Sequence, residues 1–234
     1  MRREDLIKGI HSGVGAACKE YGKWSSGESI HDRGVESLLV SWIARRIIKK
    51  WKDHRKMAYL SLETPFSEVK EKSRRDQRNG APPKRPSARG PRPKVLRGLP
   101  RADLVLYTPA DRVSGIIEVK RKWQPSSCHK DLKRLRALVS RYGPRNNGTV
   151  QMGFLVTMVV VDPLDLKTKI KEIRKSVRDI QDDAVSVKVH TAGRAAYVDA
   201  ELGKKGYSVV IEVVSRRVKG EIIEDEDPTP EIET

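Results

Sequence analysis

The sequence predicts an α/β protein in which a mixed central sheet is flanked by helices. Segments with an apolar residue every three to four positions alternate with short β-rich runs. Over about residues 28–161 the predicted order is helix, three strands, helix and strand, an αβββαβ core, and a further helix and strands extend it. Because 234 residues can bury a sizeable core, we expect one domain over residues 1–220.

The first predicted helix spans about residues 28–51, after a mixed segment at 1–27. Its apolar positions follow the helical period: Val35, Leu38, Leu39, Trp42, Ile43, Ile47 and Trp51. Ser25 and Glu28 have the spacing of a capping box that would open this helix. Glu36 lies on the flank of the apolar stripe, where a carboxylate is costly unless it is paired. We interpret Glu36 either as a site residue or as a partly exposed partner of Arg33.

A strand is predicted at 57–67, with its end marked by Pro65, and a basic insertion follows at 68–98. This insertion has eleven Lys or Arg residues against three acids, a net charge of +8, and five prolines. We expect a structureless, mobile arm that contacts phosphates, because so little apolar surface cannot fold alone. The alternative is a merely solvated insertion. The candidate phosphate contacts are Arg74, Arg75, Arg78, Lys84, Arg85 and Arg89.

A β-hairpin is predicted from two β-rich runs, 102–107 and 115–120, which flank a polar segment with Pro109 and Asp111. If the turn is centred between residues 110 and 111, Tyr107 pairs with Ser114. The same register places a carboxylate of the first strand directly opposite a carboxylate of the second.

These opposed carboxylates belong to Asp103 and Glu118, and Lys120 shares their face because side chains alternate along a strand. Their Cβ atoms would lie about 4.5–5.5 Å apart. Like charges placed directly opposite destabilise a sheet, so the pairing needs a reason. A hard divalent cation such as Mg²⁺, which is commonly held by one or two carboxylates, supplies one. The alternative is a solvated hairpin with one exposed salt bridge.

The remaining elements are predicted from the same apolar periodicity and turn residues. A helix is predicted at about 128–142, a strand at 154–161, a helix that begins after Asp162 and ends near Ile180, and a strand at 185–190. A closing hairpin is predicted from Tyr197 and from 207–214, with a turn at 203–206. The last fourteen residues, 221–234, carry seven acids and no base, and we expect them to be disordered.

Asp103 followed by Glu118-Val119-Lys120 resembles the signature of the PD-(D/E)XK nuclease superfamily, although Ala102 replaces its proline. The resemblance implies a restriction-endonuclease-like fold and metal-dependent hydrolysis of phosphodiester bonds. It implies catalytic roles for Asp103, Glu118 and Lys120, with Lys120 positioning the attacking water. It also implies that Mg²⁺ or Mn²⁺ is bound by Asp103, Glu118, the Val119 carbonyl and Glu36.

In that superfamily the helix after the motif often begins near the substrate backbone. His129, Lys130 and Lys133 are therefore candidate phosphate contacts. A solvated basic face is the alternative for each of them.

The net charge of +17 and the pI near 10.0 indicate a polyanionic partner, either nucleic acid or an anionic membrane surface. We expect nucleic acid rather than a membrane surface, because the longest apolar run, 153–161, is too short to span a bilayer. Of the nucleic acids, we expect DNA rather than RNA. The N-terminus has no signal-peptide core and the chain has two cysteines, so we expect a cytoplasmic protein with reduced thiols. The sequence leaves a homodimer as one possible oligomeric state.

Three functions remain. The first is a metal-dependent nuclease. The second is a non-catalytic nucleic-acid-binding protein with a nuclease-like fold, and the third is a basic packaging or scaffold protein. The joint presence of Asp103, Glu118 and Lys120 favours the enzyme, because non-catalytic members of the superfamily tend to lose at least one of these residues. A packaging or scaffold protein would need no paired carboxylates.

Overall fold

The computed structural model describes residues 2–25, 30, 34–52, 59–74, 96, 101–192, 196–199 and 203–216. Its helices are α1 (Arg3–Trp24), α2 (Glu36–Lys52), α3 (Phe66–Lys72), α4 (Pro125–Tyr142) and α5 (Leu166–Ser176), with 3₁₀ turns at Pro144–Asn146 and Arg178–Ile180. Its strands are β1 (Leu60–Pro65), β2 (Arg101–Tyr107), β3 (Val113–Val119), β4 (Met152–Val161), β5 (Val185–Thr191), β6 (Tyr197–Asp199) and β7 (Lys204–Ser215).

The strands form one mixed sheet in the order β1-β2-β3-β4-β7-β5, and β6 also pairs with β7. Strands β3 and β4 are parallel, and the other pairs are antiparallel. A parallel pair needs a crossover connection, which α4 supplies here. The predicted α/β class, with a mixed sheet flanked by helices, is therefore confirmed.

Two helical layers cover the two faces of the sheet. Helices α1 and α2 pack on one face, against alternate residues of β2, β3, β4 and β7. Helices α3, α4 and α5 pack on the other face. Strand β4 is buried on both faces over most of its length, which agrees with its continuous apolar sequence.

The 22-residue helix α1 was not predicted from the sequence, where residues 1–27 show a mixed pattern. Four glycines lower its intrinsic helix propensity, and packing compensates. A Cβ at Gly13 would stand 2.5 Å from the Cα of Ile43, so only glycine allows α1 to approach α2 this closely. The hydroxyl of Ser25 donates to the Tyr21 carbonyl at 2.8 Å. Ser25 therefore lies at the end of α1, while Glu28, the other half of the predicted capping box, lies outside the described residues.

The basic insertion is not structureless at its beginning. Residues 66–72 form α3, which buries Phe66 and Val69 in the core, and Arg74 forms an isolated bridge with Gly148. Leu96, near the end of the insertion, is also buried. Residues 75–95 and 97–100 lie outside the described residues, as does the predicted acidic tail at 221–234.

The hairpin between β2 and β3 has the predicted register at the site end but not at the turn. A register shift at Leu106 and Tyr107 pairs Tyr107 with Val113, so the predicted pairing with Ser114 is wrong. Asp111 adopts a left-handed conformation with φ 55°, which aspartate tolerates better than most residues. The extra residue is accommodated as a bulge beside the turn, and the strand ends that carry the carboxylates keep their alignment.

The C-terminal extension consists of α5, β5, β6 and β7, at or close to their predicted positions. Strand β7 pairs with β4 on one side and with β5 and β6 on the other, so this extension widens the sheet rather than forming a second domain. Across the described residues, no helix combines the length and apolar character that crossing a bilayer requires.

Candidate active site

The candidate site begins with two carboxylates on neighbouring strands. Leu104 of β2 lies opposite Ile117 of β3, and the next position in the same register places Asp103 opposite Glu118. Directly opposed residues have Cβ atoms about 4.5–5.5 Å apart. Leu104 and Ile117 point into the core beneath α1 and α2, so Asp103 and Glu118 point to the face that α4 covers.

Asp103 is held by the backbone of the facing strand. The Val119 N–H donates to Asp103 Oδ2 at 2.7 Å. Burial raises the pKa of Asp103 above its ordinary value, although this hydrogen bond and the charge of Lys120 act in the opposite direction. No residue that the structure describes donates a hydrogen bond to Oδ1. Asp103 therefore combines one fixed oxygen with one oxygen available to a ligand.

Glu118 is the most unusual group of the site, because its side chain is buried with only 7% exposure. Within the described part of the chain, its carboxylate receives no hydrogen bond and lies in no ion pair. Burial, and after it the negative charges of Asp103 and Asp131, raises the pKa of Glu118 to about 8. An ionised carboxylate in such a place costs several kcal/mol unless a cation compensates it. The position therefore fits a group that ionises when a cation binds.

Lys120 follows directly after β3, where its N–H donates to the Val156 carbonyl at 2.7 Å. Its Nζ lies 3.5 Å from Glu36 Oε2 and 3.6 Å from Asp131 Oδ2. Burial lowers the pKa of Lys120, but the negative charges of Glu36, Asp131 and Asp103 outweigh burial and raise the pKa above its ordinary value. Lys120 is therefore a persistent cation.

Glu36 stands at the first turn of α2 and connects that helix to the end of β3. Its Oε1 accepts the Arg121 N–H at 3.3 Å, and its Oε2 faces Lys120. The Arg121 guanidinium in turn donates to the Gly34 carbonyl at 2.6 Å. The structure thus brings Glu36 to the site, where Lys120 and Arg121, directly after β3, contact its two carboxylate oxygens.

Asp131 of α4 belongs to the site and was missed by the sequence analysis. It is buried, it faces Lys120, and its Oδ1 accepts from Arg134 Nη1 at 2.6 Å. Its position on the buried face of α4, between Cys128 and Leu135, is the signal that could have identified it. A carboxylate on an apolar helical stripe requires a partner inside the protein.

Glu63 adds a further negative charge from the edge strand. Its neighbours Leu62 and Thr64 pair with Leu104 and Ala102, which places Glu63 beside Asp103. It has a left-handed backbone with φ 49°, and its charge contributes to the raised pKa of Asp103. Glu63 therefore adds a fifth acid to a site that also contains Lys120 and Arg134.

The predicted phosphate contacts are distributed differently. Lys130 and Lys133 are exposed near the beginning of α4. His129 is partly buried and packs edge-to-face against Trp123, with 6.2 Å between ring centroids, and its Nε2 is buried. Arg74 is partly buried beside Gly148. Outside the described residues lie Arg75, Arg78, Lys84, Arg85 and Arg89.

The residues present fit a hard divalent cation. Asp103 and Glu118 supply carboxylate oxygens, and the donor-free Glu118 gains most from a positive charge. In the described ranges, no group of three or more His, Cys, Asp or Glu side chains is placed so that it could hold a metal ion. Mg²⁺ is normally bound through one or two carboxylates and keeps several waters, so an open pair of carboxylates suits it.

Comparisons with known proteins add no relative to this chain. No protein-family model, no curated protein and no solved structure matches it.

Proposed function

We propose that this protein is a metal-dependent nuclease that hydrolyses phosphodiester bonds in DNA. One observation carries the proposal. The carboxylate of Glu118 is buried without a hydrogen-bond donor among the described residues, it lies opposite Asp103, and Lys120 follows directly after the same strand, β3. Two carboxylates without a cation between them destabilise the sheet, whereas a divalent cation would turn the same pair into a ligand set.

The order of elements supports a restriction-endonuclease-like fold. Helix α2, the antiparallel strands β1, β2 and β3, helix α4 and the parallel strand β4 follow one another as in the αβββαβ core of that fold. The short α3 lies between β1 and β2 as an addition to that order. The candidate residues come from α2, from β2 and from the end of β3, as the resemblance to the PD-(D/E)XK superfamily implies.

In this proposal Asp103 and Glu118 hold Mg²⁺ or Mn²⁺, with the Val119 carbonyl as a further ligand. The ion would supply Lewis acidity and lower the pKa of a coordinated water. The Val119 N–H fixes Asp103 Oδ2, so that the carboxylate presents its other oxygen to the ligand. Glu118 must lose its proton for this role, and its raised pKa makes metal binding depend on pH.

Lys120 contributes charge and hydrogen bonds rather than basicity. Its raised pKa keeps it protonated, so it cannot take a proton from water at neutral pH. A protonated lysine can orient the attacking water and stabilise the negative charge that develops on the phosphate. Glu36 and Asp131, which approach Nζ from two helices, position this side chain.

The test uses supercoiled, linear, branched and single-stranded DNA with Mg²⁺, Mn²⁺ or EDTA. Asp103→Asn, Glu118→Gln and Lys120→Met should each reduce cleavage by at least about 100-fold, the lower end of the effect of removing one transition-state contact. Binding of DNA in EDTA should stay within a few-fold of wild type. Glu71→Gln, a change of an exposed glutamate on α3, is the matched control and should cleave normally.

The outcomes separate the proposal from its rivals. Full cleavage by Asp103→Asn or Glu118→Gln would exclude this site. Tight DNA binding without cleavage under either metal would instead support a non-catalytic nucleic-acid-binding protein with the same architecture. Failure to bind any nucleic acid would exclude both.

A further inference from the structure

A row of cations runs along α5, outside the predicted αβββαβ core. Its members are exposed and recur at helical spacing: Lys167, Lys171, Arg174, Lys175 and, in the following 3₁₀ turn, Arg178. We call this row the α5 cationic stripe. The single acid of α5, Glu172, is paired with Lys169 at 2.8 Å, and neither belongs to the stripe. Like charges at i, i+4 destabilise a helix. The helix dipole offsets this cost for Arg174 and Lys175 in the last turn, but not for Lys167 and Lys171.

The C-terminal end of the stripe opens into a groove beside the edge strand β5. The groove has a volume of about 580 Å³, and Arg174 and Arg178 supply its cationic side chains above an apolar lining that includes Val187 and Val189. Among the described residues, no acid lies within ion-pair distance of Arg174, Arg178 or Lys188. The groove therefore presents two arginines without counter-charge, whereas Lys188 pairs across the strands with Glu212, which bonds to Arg3 of α1.

The groove and the candidate active site lie on one transverse row of the sheet. Glu118 pairs with Leu155, Leu155 pairs with Ile211, and Ile211 pairs with Val189 in the wall of the groove. Three strand spacings of about 4.8 Å place the two sites about 14 Å apart. Helices α4 and α5 cover the same face of the sheet. Because β3 and β4 are parallel and α5 follows β4, the stripe begins at the end of the sheet where Lys120 lies.

We propose that the α5 cationic stripe and the β5 groove bind the phosphate backbone of duplex DNA on one side of the bond that is cut. The inference rests on the proposed function, because it extends the same substrate away from the active site. From Lys167 to Arg178 the stripe covers twelve residues, whose eleven steps span about 16 Å at 1.5 Å per residue. That length matches about five phosphates of one strand, which are spaced about 3.4 Å along the duplex axis.

The chemistry of α5 favours DNA over an anionic membrane. An interfacial membrane helix presents an apolar face to the lipid, between its cationic residues. The apolar face of α5, with Ile170 and Ile173, is instead buried against the sheet. Only the charges of this helix are available to a partner, and charges alone suit a phosphate backbone.

The experiment measures the salt dependence of binding to a duplex of about 24 bp in EDTA. Lys167→Gln/Lys171→Gln removes two stripe charges, and Lys8→Gln/Lys49→Gln removes two exposed charges from α1 and α2 on the opposite face. Each lost phosphate contact reduces the slope of log K against log salt by about 0.9, so the stripe variant should lose about 1.8. The ratio of wild-type affinity to variant affinity should therefore be about 60-fold larger at 0.1 M salt than at 1 M salt. The control should keep the wild-type slope.

A third variant, Arg174→Gln/Arg178→Gln, tests the groove and should again lose about 1.8 from the slope. All these side chains are exposed, so the melting temperatures should stay close to wild type and report folding directly. Stripe and control variants with the same slope would overturn the inference, even if the enzyme cleaves DNA. A reduced slope without any cleavage by wild type would leave the inference intact and would count against the proposed function alone.

Discussion

Replacement of Glu118 by glutamine should stabilise the metal-free protein at neutral pH. Glu118 is buried without a hydrogen-bond donor among the described residues, and burial together with Asp103 and Asp131 raises its pKa to about 8 from 4.5. Between these two values the folded state holds a proton that the unfolded state releases. Stability from this group is therefore complete below pH 4.5 and is lost as the pH rises through 8. Glutamine mimics the protonated carboxyl group and does not titrate.

The magnitude follows from the shift. One pKa unit corresponds to about 1.36 kcal/mol, so at pH 7 the 2.5 units above the unfolded value amount to about 3 kcal/mol. In a domain of this size 1 kcal/mol changes the melting temperature by about 2–4 °C. Glu118→Gln should therefore melt roughly 6–12 °C above wild type at pH 7 and at nearly the same temperature as wild type at pH 4.5.

The assay is thermal unfolding in EDTA at several pH values, followed by circular dichroism. Glu71→Gln, which changes an exposed glutamate, should show no pH-dependent gain. Mg²⁺ should reverse the order, because the ion stabilises only a protein that can bind it, by about 4 kcal/mol at a concentration of 1,000 Kd. A variant that is less stable than wild type at pH 7 in EDTA would refute the reasoning, since the buried carboxylate would then have a stabilising partner.

Two further results are expected. Glu36→Gln should raise the Mg²⁺ concentration for half-maximal cleavage and leave the melting temperature almost unchanged, because Glu36 is half-exposed and acts at the site through Lys120. A lower melting temperature with unchanged metal dependence would make Glu36 a structural residue. His11, whose side chain bonds to Ser208, has its pKa lowered to about 4 from 6.5 by burial and then by the charge of His190. Stability from this neutral histidine is present above pH 6.5 and is lost as the pH falls, by about 3 kcal/mol at pH 4. Between pH 7 and pH 4, the free energy of unfolding measured with denaturant should fall less in His11→Gln than in wild type. Equal losses in the two proteins would contradict the lowered pKa of His11.

The sequence by itself determined the parts of this protein that depend on local periodicity. The two β-rich runs and the turn between them predicted the register in which Asp103 opposes Glu118, and the alternation placed Leu104 and Ile117 together on the other face. A one-residue slip in register would exchange the residues that face the two helical layers, so the apolar pattern restricts the pairing. Helix α4 and strand β4 were recognised for the same reason, since each carries a strong apolar repeat of its own.

Only the tertiary structure decided the surroundings of the two carboxylates. Glu36 and Asp131 reach Lys120 from helices on opposite faces of the sheet, and Glu36 is 85 residues from Arg121, whose N–H it accepts. Helix α1 likewise depends on a close approach to α2 at Gly13. Such contacts leave no local period in the sequence. The pKa of Glu118 depends on burial and on distant charges, so it became visible only after the chain had folded around it.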